Sequence, residues 1–320
     1  MTTEHDVTFF SLDGTRLAGV LRHPERRADG LDDAAVVLCQ GLSGVKHLVL
    51  PGIAEDFARR GIASLRFDYA GYGGSDGARG WIDPRSRVDD ALSAFAWLAA
   101  QSGVDATRIG IYGHSYGGPV ALGAAAREDR VRAAVVVSGP ADGRSMLRSV
   151  RTSWEWVAFK RLLATERAHL SAGGAPTVVE VQTIFPFSPV FEAQYERLKS
   201  EQGGTSALAA PADSGTPSSS DVDAALGTTH FYLASVDAML AFHPEDEVRR
   251  LGNIPLLLVH GADDDVAPVE DVESLYANAP GPKHWQIIPD AGHNDLDQGA
   301  GRDQAVDLAA EWFTEHLQFS

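Results

Sequence analysis

"RIGIYGHSYGGPVALGAAARE", Arg108 to Glu128, is the stretch on which the fold turns. Ile109, Ile111 and Tyr112 are β-branched or aromatic and the run ends at Gly113, a pattern that predicts a strand. Pro119 to Arg127 are rich in alanine and predict a helix. Between them Ser115 stands in a Gly-x-Ser-x-Gly frame. A strand that passes into a helix within so few residues must turn sharply. The serine is then forced into strained backbone angles, and Gly113 and Gly117 must be small to avoid collision across the turn. The turn presents a hydroxyl at a helix N-terminus, where backbone N–H groups and the helix dipole favour developing negative charge. That is where a nucleophile belongs.

Outward from this segment, strands and helices alternate. "VTFFSLDGTRLAGVL" (Val7 to Leu21) predicts a hairpin turning at Asp13-Gly14. "AAVVLCQG" (Ala34 to Gly41) and "IASLRFDYA" (Ile62 to Ala70) predict buried strands, with a helix between them ending at Gly61. The next helix has Asp83 as its cap and Pro84 in its first turn. Val88, Leu92, Phe95 and Ala99 line one face, and Gly103 stops it. Further strands follow at "VRAAVVVSG" (Val131 to Gly139), "IPLLLVHG" (Ile254 to Gly261) and "HWQIIPD" (His284 to Asp290). A helix from Gln304 to Gln318 closes the chain. This alternation predicts a mostly parallel, doubly wound α/β sheet with right-handed crossovers.

Residues 140–252 break the rhythm. They carry helical patterns in "SWEWVAFKRLLATERAHL", "SPVFEAQYERLKSEQ" and "THFYLASVDAMLAF", and a stretch poor in large apolar residues from Gly203 to Ser220 that reads as a mobile loop. The expected organisation is therefore a core of residues 1–139 and 253–320, with residues 140–252 as a helical cap insertion.

Composition narrows the function. The 320 residues carry a formal charge of −17, which disfavours nucleic acid and anionic membranes as partners. Cys39 is the single cysteine, so neither an intrachain disulfide nor a cysteine metal cluster is possible, and the histidines lack metal-ligand spacing. No cofactor or metal is expected. With no signal-peptide pattern and no long apolar run, the expectation is a cytoplasmic protein. The oligomeric state is left open.

A serine hydroxyl needs a base, and the base an orienting acid, both at other strand ends. "LLLVHGADDDVAP" offers Asp263, Asp264 and Asp265 after one strand, and "IIPDAGHNDL" offers His293 after the next. The order serine, aspartate, histidine is the one that accompanies Gly-x-Ser-x-Gly on such a sheet. His114, adjacent to the serine, is expected to point away across the turn. His260 is expected to pack or hydrogen-bond at its strand end. "GYGGSDG" (Gly71 to Gly77) lacks the Lys-Ser/Thr of a phosphate loop and reads as a structural turn.

"GHSYGG", "GADDDVAP" and "AGHNDL" resemble the three catalytic segments of α/β-hydrolases. "GTRLAGVL" and "LRFDYAGYGGSDG" resemble the family's opening hairpin and fourth-strand segment, so the resemblance spans most of the chain. Within the superfamily the chain looks similar to esterases and acyl-transfer enzymes with a cap between the sixth and seventh strands: cinnamoyl-esterase-like, dienelactone-hydrolase-like and polyketide-acyltransferase-like proteins. The resemblance implies an α/β-hydrolase fold and a Ser115–His293–Asp264 triad. The resemblance selects Asp264 among the three aspartates, because the family's acid stands at that position between the glycine and the proline, here Gly261 and Pro268. An oxyanion hole is implied from the backbone N–H groups of Leu42 and Tyr116, although Gln40 stands where the family often has histidine. The expected chemistry is cleavage of an ester or thioester of a small acyl substrate through an acyl-enzyme. Acyl transfer, cyclisation and peptide cleavage share that machinery. The aromatics Trp154, Trp156, Phe159, Phe185, Phe187, Phe231 and Tyr232 are expected either to line an apolar pocket or to pack the cap.

Overall fold

The computed structural model describes residues 3–24, 30–190, 192–193 and 230–318. Ten strands are present among them. Eight form one sheet in the order β1-β2-β4-β3-β5-β6-β9-β10. In chain order these are β1 (Thr3–Phe10), β2 (Arg16–His23), β3 (Ala35–Cys39), β4 (Ala63–Phe67), β5 (Ile109–His114), β6 (Val131–Val137), β9 (Leu256–Gly261) and β10 (Lys283–Ile288). β1 pairs antiparallel with β2 and β2 antiparallel with β4; every other pairing in the sheet is parallel. β3 and β5 are buried at every residue, which explains why they read as continuous apolar runs rather than alternating ones.

Helices cover both faces. α1 (Leu50–Arg59) and α10 (Gly299–Leu317) share one apolar cluster with the sheet, in which Phe57, Tyr112 and Phe313 meet edge to face. α2 (Pro84–Ala99), α3 (Gly117–Ala125) and α9 (Val269–Asn278) belong to the cluster on the opposite face, through Val88, Phe95, Val120 and Val272. Burying each of these large side chains stabilises the fold by about 1.5–3 kcal/mol. α2 starts as expected: the Asp83 carboxylate accepts from the Arg85 N–H, and Pro84 occupies the first turn.

Between β6 and β9 the described residues form α4 (Gly143–Ser149), α5 (Ser153–Ser171), α6 (Val181–Ile184), α7 (Val236–Leu240) and α8 (Pro244–Val248). α5 opens with a reciprocal Thr152–Glu155 capping box. Arg151 ties three of these helices together. It donates to the carbonyls of Leu147, Thr183 and Ile184 and lies 3.7 Å over the Phe159 ring. One expectation needs correcting. His230–Tyr232 does not begin a helix; it is strand β8, paired antiparallel with β7 (Val178–Glu180). Its pairing partner lies some fifty positions earlier in the chain, which local periodicity does not reveal. The last helix also begins at Gly299 rather than Gln304. Most of Ser188–Gln202 and all of Gly203–Ser220 lie outside the described residues.

The strand order locates the site. From β3 the chain passes to β4 on one side, then to β5 on the other. Connections leave in opposite directions there, opening a crevice at the carboxyl ends of β3 and β5.

Candidate active site

Ser115 follows β5 at that crevice, with φ of 53°. A serine in this left-handed region is strained by about 1–3 kcal/mol, which the packing around it must offset. The packing explains the flanking glycines. A β-carbon on Gly113 would fall 2.2 Å from the Gly117 carbonyl oxygen, and one on Gly117 would fall 2.3 Å from that of Cys39. The Ser115 N–H donates to the Val137 carbonyl of β6 at 2.8 Å, fixing the turn to the neighbouring strand.

His293 heads a short 3-10 turn, His293–Leu296, after β10. Its Nε2 lies 2.9 Å from Ser115 Oγ, and its Nδ1 lies 2.9 Å from Asp264 Oδ2 and 3.0 Å from Oδ1. Asp264 is fully buried in the loop after β9, and its Oδ1 also accepts the N–H groups of Val266 and Ala267. Ser115, His293 and Asp264 thus come together from three strand ends. Asp263 and Asp265 do not join them: both are exposed, and Asp265 accepts a hydrogen bond from Ser188.

The electrostatics follow from burial. Desolvation pushes the Asp264 carboxyl up, yet the His293 charge and hydrogen bond, with His260 and the loop N–H groups, hold it at about 2. Desolvation likewise pulls the His293 imidazolium down, but the charge and hydrogen bond of Asp264, with Asp297 and Asp265, leave it above its ordinary 6.5.

Ser115 opens into a cleft. Leu42 and Tyr116 line it beside the serine. Its apolar wall includes Leu48, Leu50, Met146, Val181, Phe185 and Phe187. Of the seven aromatics considered from sequence, only Phe185 and Phe187 reach it. Trp156, Phe159 and Phe231 are packed in the core, Tyr232 lies against Trp81, and Trp154 is exposed. Val49, also on the wall, sits at φ 57° in a three-residue turn closed by the Leu50 N–H on the Leu48 carbonyl. A β-branched residue is an outlier there.

Two features were not legible from sequence. Arg87 of α2 is buried and donates from Nη2 to the Leu42 carbonyl at 2.7 Å, while its guanidinium lies 4.5 Å over the Tyr72 ring and 4.8 Å over that of Tyr69. It fixes the loop that carries the Leu42 N–H. His114 does not point away across the turn. It lines the cleft, its ring centroid 5.7 Å from that of His293 and its Nε2 3.0 Å from Asp297 Oδ1. His260 behaves as expected, its Nε2 bonded to the Ala267 carbonyl at 2.9 Å. The Gly71–Gly77 loop uses its polar groups on its own structure: Gly74 N–H meets the Asp68 carboxylate, Ser75 Oγ the Asp68 carbonyl, and Asp76 pairs with Arg16.

The family model of the alpha/beta hydrolase fold matches residues 34–300. The chain belongs to that family. It is a hydrolase-type enzyme by that membership. It is 29% identical over 318 residues to thiohydrolase aneE of Aspergillus aculeatus, covering 98% of this chain and 94% of the relative. It is 28% identical to polyketide transferase claH of Penicillium crustosum, covering 100% of both chains. The crystal structure of the alpha/beta hydrolase GrgF from Penicillium superposes with a TM-score of 0.74 at 24% identity, covering 99% of this chain and 100% of that one. Among the described residues, no helix is long and apolar enough to cross a membrane.

Proposed function

We propose that this α/β-hydrolase cleaves carboxylic thioesters or esters of small, partly apolar acyl groups through an acyl-enzyme on Ser115. The observation that carries the reading is the unbroken relay from Ser115 Oγ through His293 to the buried Asp264 carboxylate. His293 Nε2 takes the Ser115 proton as Oγ attacks the acyl carbon. The N–H groups of Leu42 and Tyr116 stabilise the oxyanion. Asp264 keeps the Nδ1 proton in place and stabilises the imidazolium. His293 then returns the proton to the leaving thiolate or alkoxide, the tetrahedral species collapses, and the acyl-enzyme remains. Water, deprotonated by His293, attacks it in turn and releases the acid. The apolar wall of the cleft supports an apolar acyl part, and the relative named a thiohydrolase supports a thioester.

A second reading replaces water with another acceptor. It is favoured by the relatives named polyketide transferases, two of which align over nearly all of both chains. Both readings share the acyl-enzyme.

A fluorophosphonate probe tests that shared step. Intact mass should show one adduct per chain, lost in Ser115→Ala, and turnover of a p-nitrophenyl ester should fall about 10⁴-fold, a barrier increase of about 5 kcal/mol. Undiminished labelling of Ser115→Ala would place the nucleophile elsewhere.

A further inference from the structure

The loop that leaves β3 supplies more of the cleft than Leu42. Leu48, Val49 and Leu50 are consecutive, and all three line the cleft into which Ser115 opens. Regular backbone does not do this: along a strand successive side chains alternate between faces, and along a helix they diverge by about 100°. The chain reverses at Val49 instead, with φ 57° and ψ −58° and the Leu50 N–H donating back to the Leu48 carbonyl. That is the rare and strained form of the three-residue turn. Among the described residues five non-glycine residues have positive φ, and of these Val49 alone is β-branched. Its branched side chain makes such a backbone costly, whereas glycine would adopt it freely. The nearest glycine in the chain is Gly52, already inside α1.

Strain of this kind persists only where the surroundings fix the chain on both sides. Upstream the fixed point is Lys46. Its backbone N–H and its ammonium donate to the two oxygens of the Asp68 carboxylate, each at 2.6 Å, and its carbonyl accepts from Arg66 Nε at 2.9 Å. The Asp68 side chain is fully buried and that of Lys46 nearly so, and Asp68 Oδ2 also accepts the Gly74 N–H at 2.8 Å. Parting the pair would leave a buried charge without its partner, so the loop is not free to drift at Lys46. The Leu48 N–H then closes on the Val45 carbonyl at 2.9 Å. Downstream the fixed point is Leu50, which opens α1 and is buried in the cluster that α1 shares with the sheet. Val49 is bent between these two points.

A loose loop yields to whatever group enters the cleft; a turn pinned at both ends does not. We propose that the Val49 turn determines specificity: held by the Lys46–Asp68 pair, it sets how far Leu48 and Val49 reach into the cleft and so limits the length of acyl chain that Ser115 accepts. The proposal rests on the acyl-enzyme reading and adds to it the part of the wall that selects among acyl chains. The role differs from that of Leu42 in the same loop. An oxyanion donor serves every substrate alike, whereas the turn acts on the difference between one chain and the next.

Fluorophosphonate labelling of Ser115 counts the active enzyme in each variant and reads the nucleophile alone. On that count kcat/KM is measured for p-nitrophenyl esters from acetate to dodecanoate, with Tm as the check on folding. Wild type should pass through an optimum and fall by about tenfold or more for longer chains. Val49→Gly accommodates the turn without strain and lets it move; its Tm should stay close to that of wild type, and the fall should shrink to about threefold or less. Val49→Ala trims the side chain but keeps the β-carbon that restricts the backbone, so the optimum should shift to longer chains while the fall remains. Lys46→Met combined with Asp68→Asn removes the anchor without leaving an unpaired buried charge, and should flatten the profile as Val49→Gly does, although Val49 is untouched. A wild type without an optimum overturns the proposal, and so does a Val49→Gly variant that keeps the fall within twofold. A Val49→Ala variant as flat as Val49→Gly assigns the limit to side-chain bulk and overturns the role of the turn. An anchor variant that folds and keeps the wild-type profile overturns the role of the Lys46–Asp68 pair; if it does not fold, the two Val49 variants decide. If Ser115 does not label in wild type, the acyl-enzyme reading fails, and the assignment of the turn with it.

Discussion

Under the proposed mechanism His293 sets the working pH. Burial acting alone would lower its proton affinity and leave it a weak base; the charge and hydrogen bond of Asp264 reverse that and hold it above 6.5. As a base it must be neutral, so kcat/KM should rise with pH through a limb whose midpoint lies above 6.5. Asp264→Asn removes the opposing charge and leaves burial unopposed. The limb should then move toward acid while kcat falls by about 10⁴-fold, because the Nδ1 proton is no longer held. Asp263→Asn and Asp265→Asn should each stay within about tenfold in kcat, since neither side chain touches the imidazole. A pH–rate profile of all three variants checks the ranking; a larger loss at Asp263 or Asp265 would move the acid role. The three relay residues are legible in the sequence because each follows an apolar strand, and strand ends of a parallel sheet converge whatever the loops do. Asp297 is not legible. The turn His293–Leu296 folds it back toward the end of β5, and that contact is made across the sheet. His114 was misjudged for the same reason: alternation along β5 gives its face, but not that the face opens into the cleft.

Arg87 links a helix to the chemistry. The periodicity of α2 assigns Val88 and Phe95 to the core correctly, and it gives no sign that Arg87 is buried beside them. Instead the guanidinium is enclosed by Tyr69, Tyr72 and Tyr116 and holds the Gly41–Leu42 carbonyls. A planar, permanently charged fork suits that pocket, and lysine does not reproduce it. With the two carbonyls tied to α2, the loop carrying the Leu42 N–H of the proposed oxyanion hole is held in place. Arg87→Lys and Arg87→Met should therefore lower kcat by about 10–100-fold, with KM changed far less. Affinity for a trifluoromethyl ketone, which forms the oxyanion adduct, should fall in parallel, while affinity for the product acid should hold. Equal losses for both ligands would indicate a general disturbance of the cleft rather than misplacement of one donor. The β7–β8 pair was hidden for a different reason. Three-residue strands are shorter than any alternation that can be recognised, and only their distant pairing defines them.

At the scale of the whole molecule, the proposed mechanism places the acyl-enzyme at the strand ends of the sheet, and the residues between β6 and β9 supply part of the cleft beside it. Arg151 joins α4, α5 and α6 into one body, and the chain leaving α6 brings Phe185 and Phe187 to the cleft wall. That wall offers an apolar surface against which the proposed acyl chain would pack. Gln40, Ser43, Asn294 and Gln298 line the same cleft, polar groups able to hydrogen-bond water. A cleft that holds water beside the acyl-enzyme hydrolyses it; one that excludes water preserves it for another acceptor. With these four groups lining the cleft, steady turnover in water alone is the expected result for p-nitrophenyl esters and acyl thioesters of increasing chain length. Rates should improve as the chain grows to fill the apolar wall, and Phe185→Ala should remove that gain for the longer chains while sparing the shortest. The decisive trace is the time course. A burst of one equivalent followed by near silence, relieved by added alcohol or amine, would show that the polar groups of the cleft do not deliver water to the intermediate. The acyl group would then be destined for transfer, with Ser115, His293 and Asp264 unchanged in their parts.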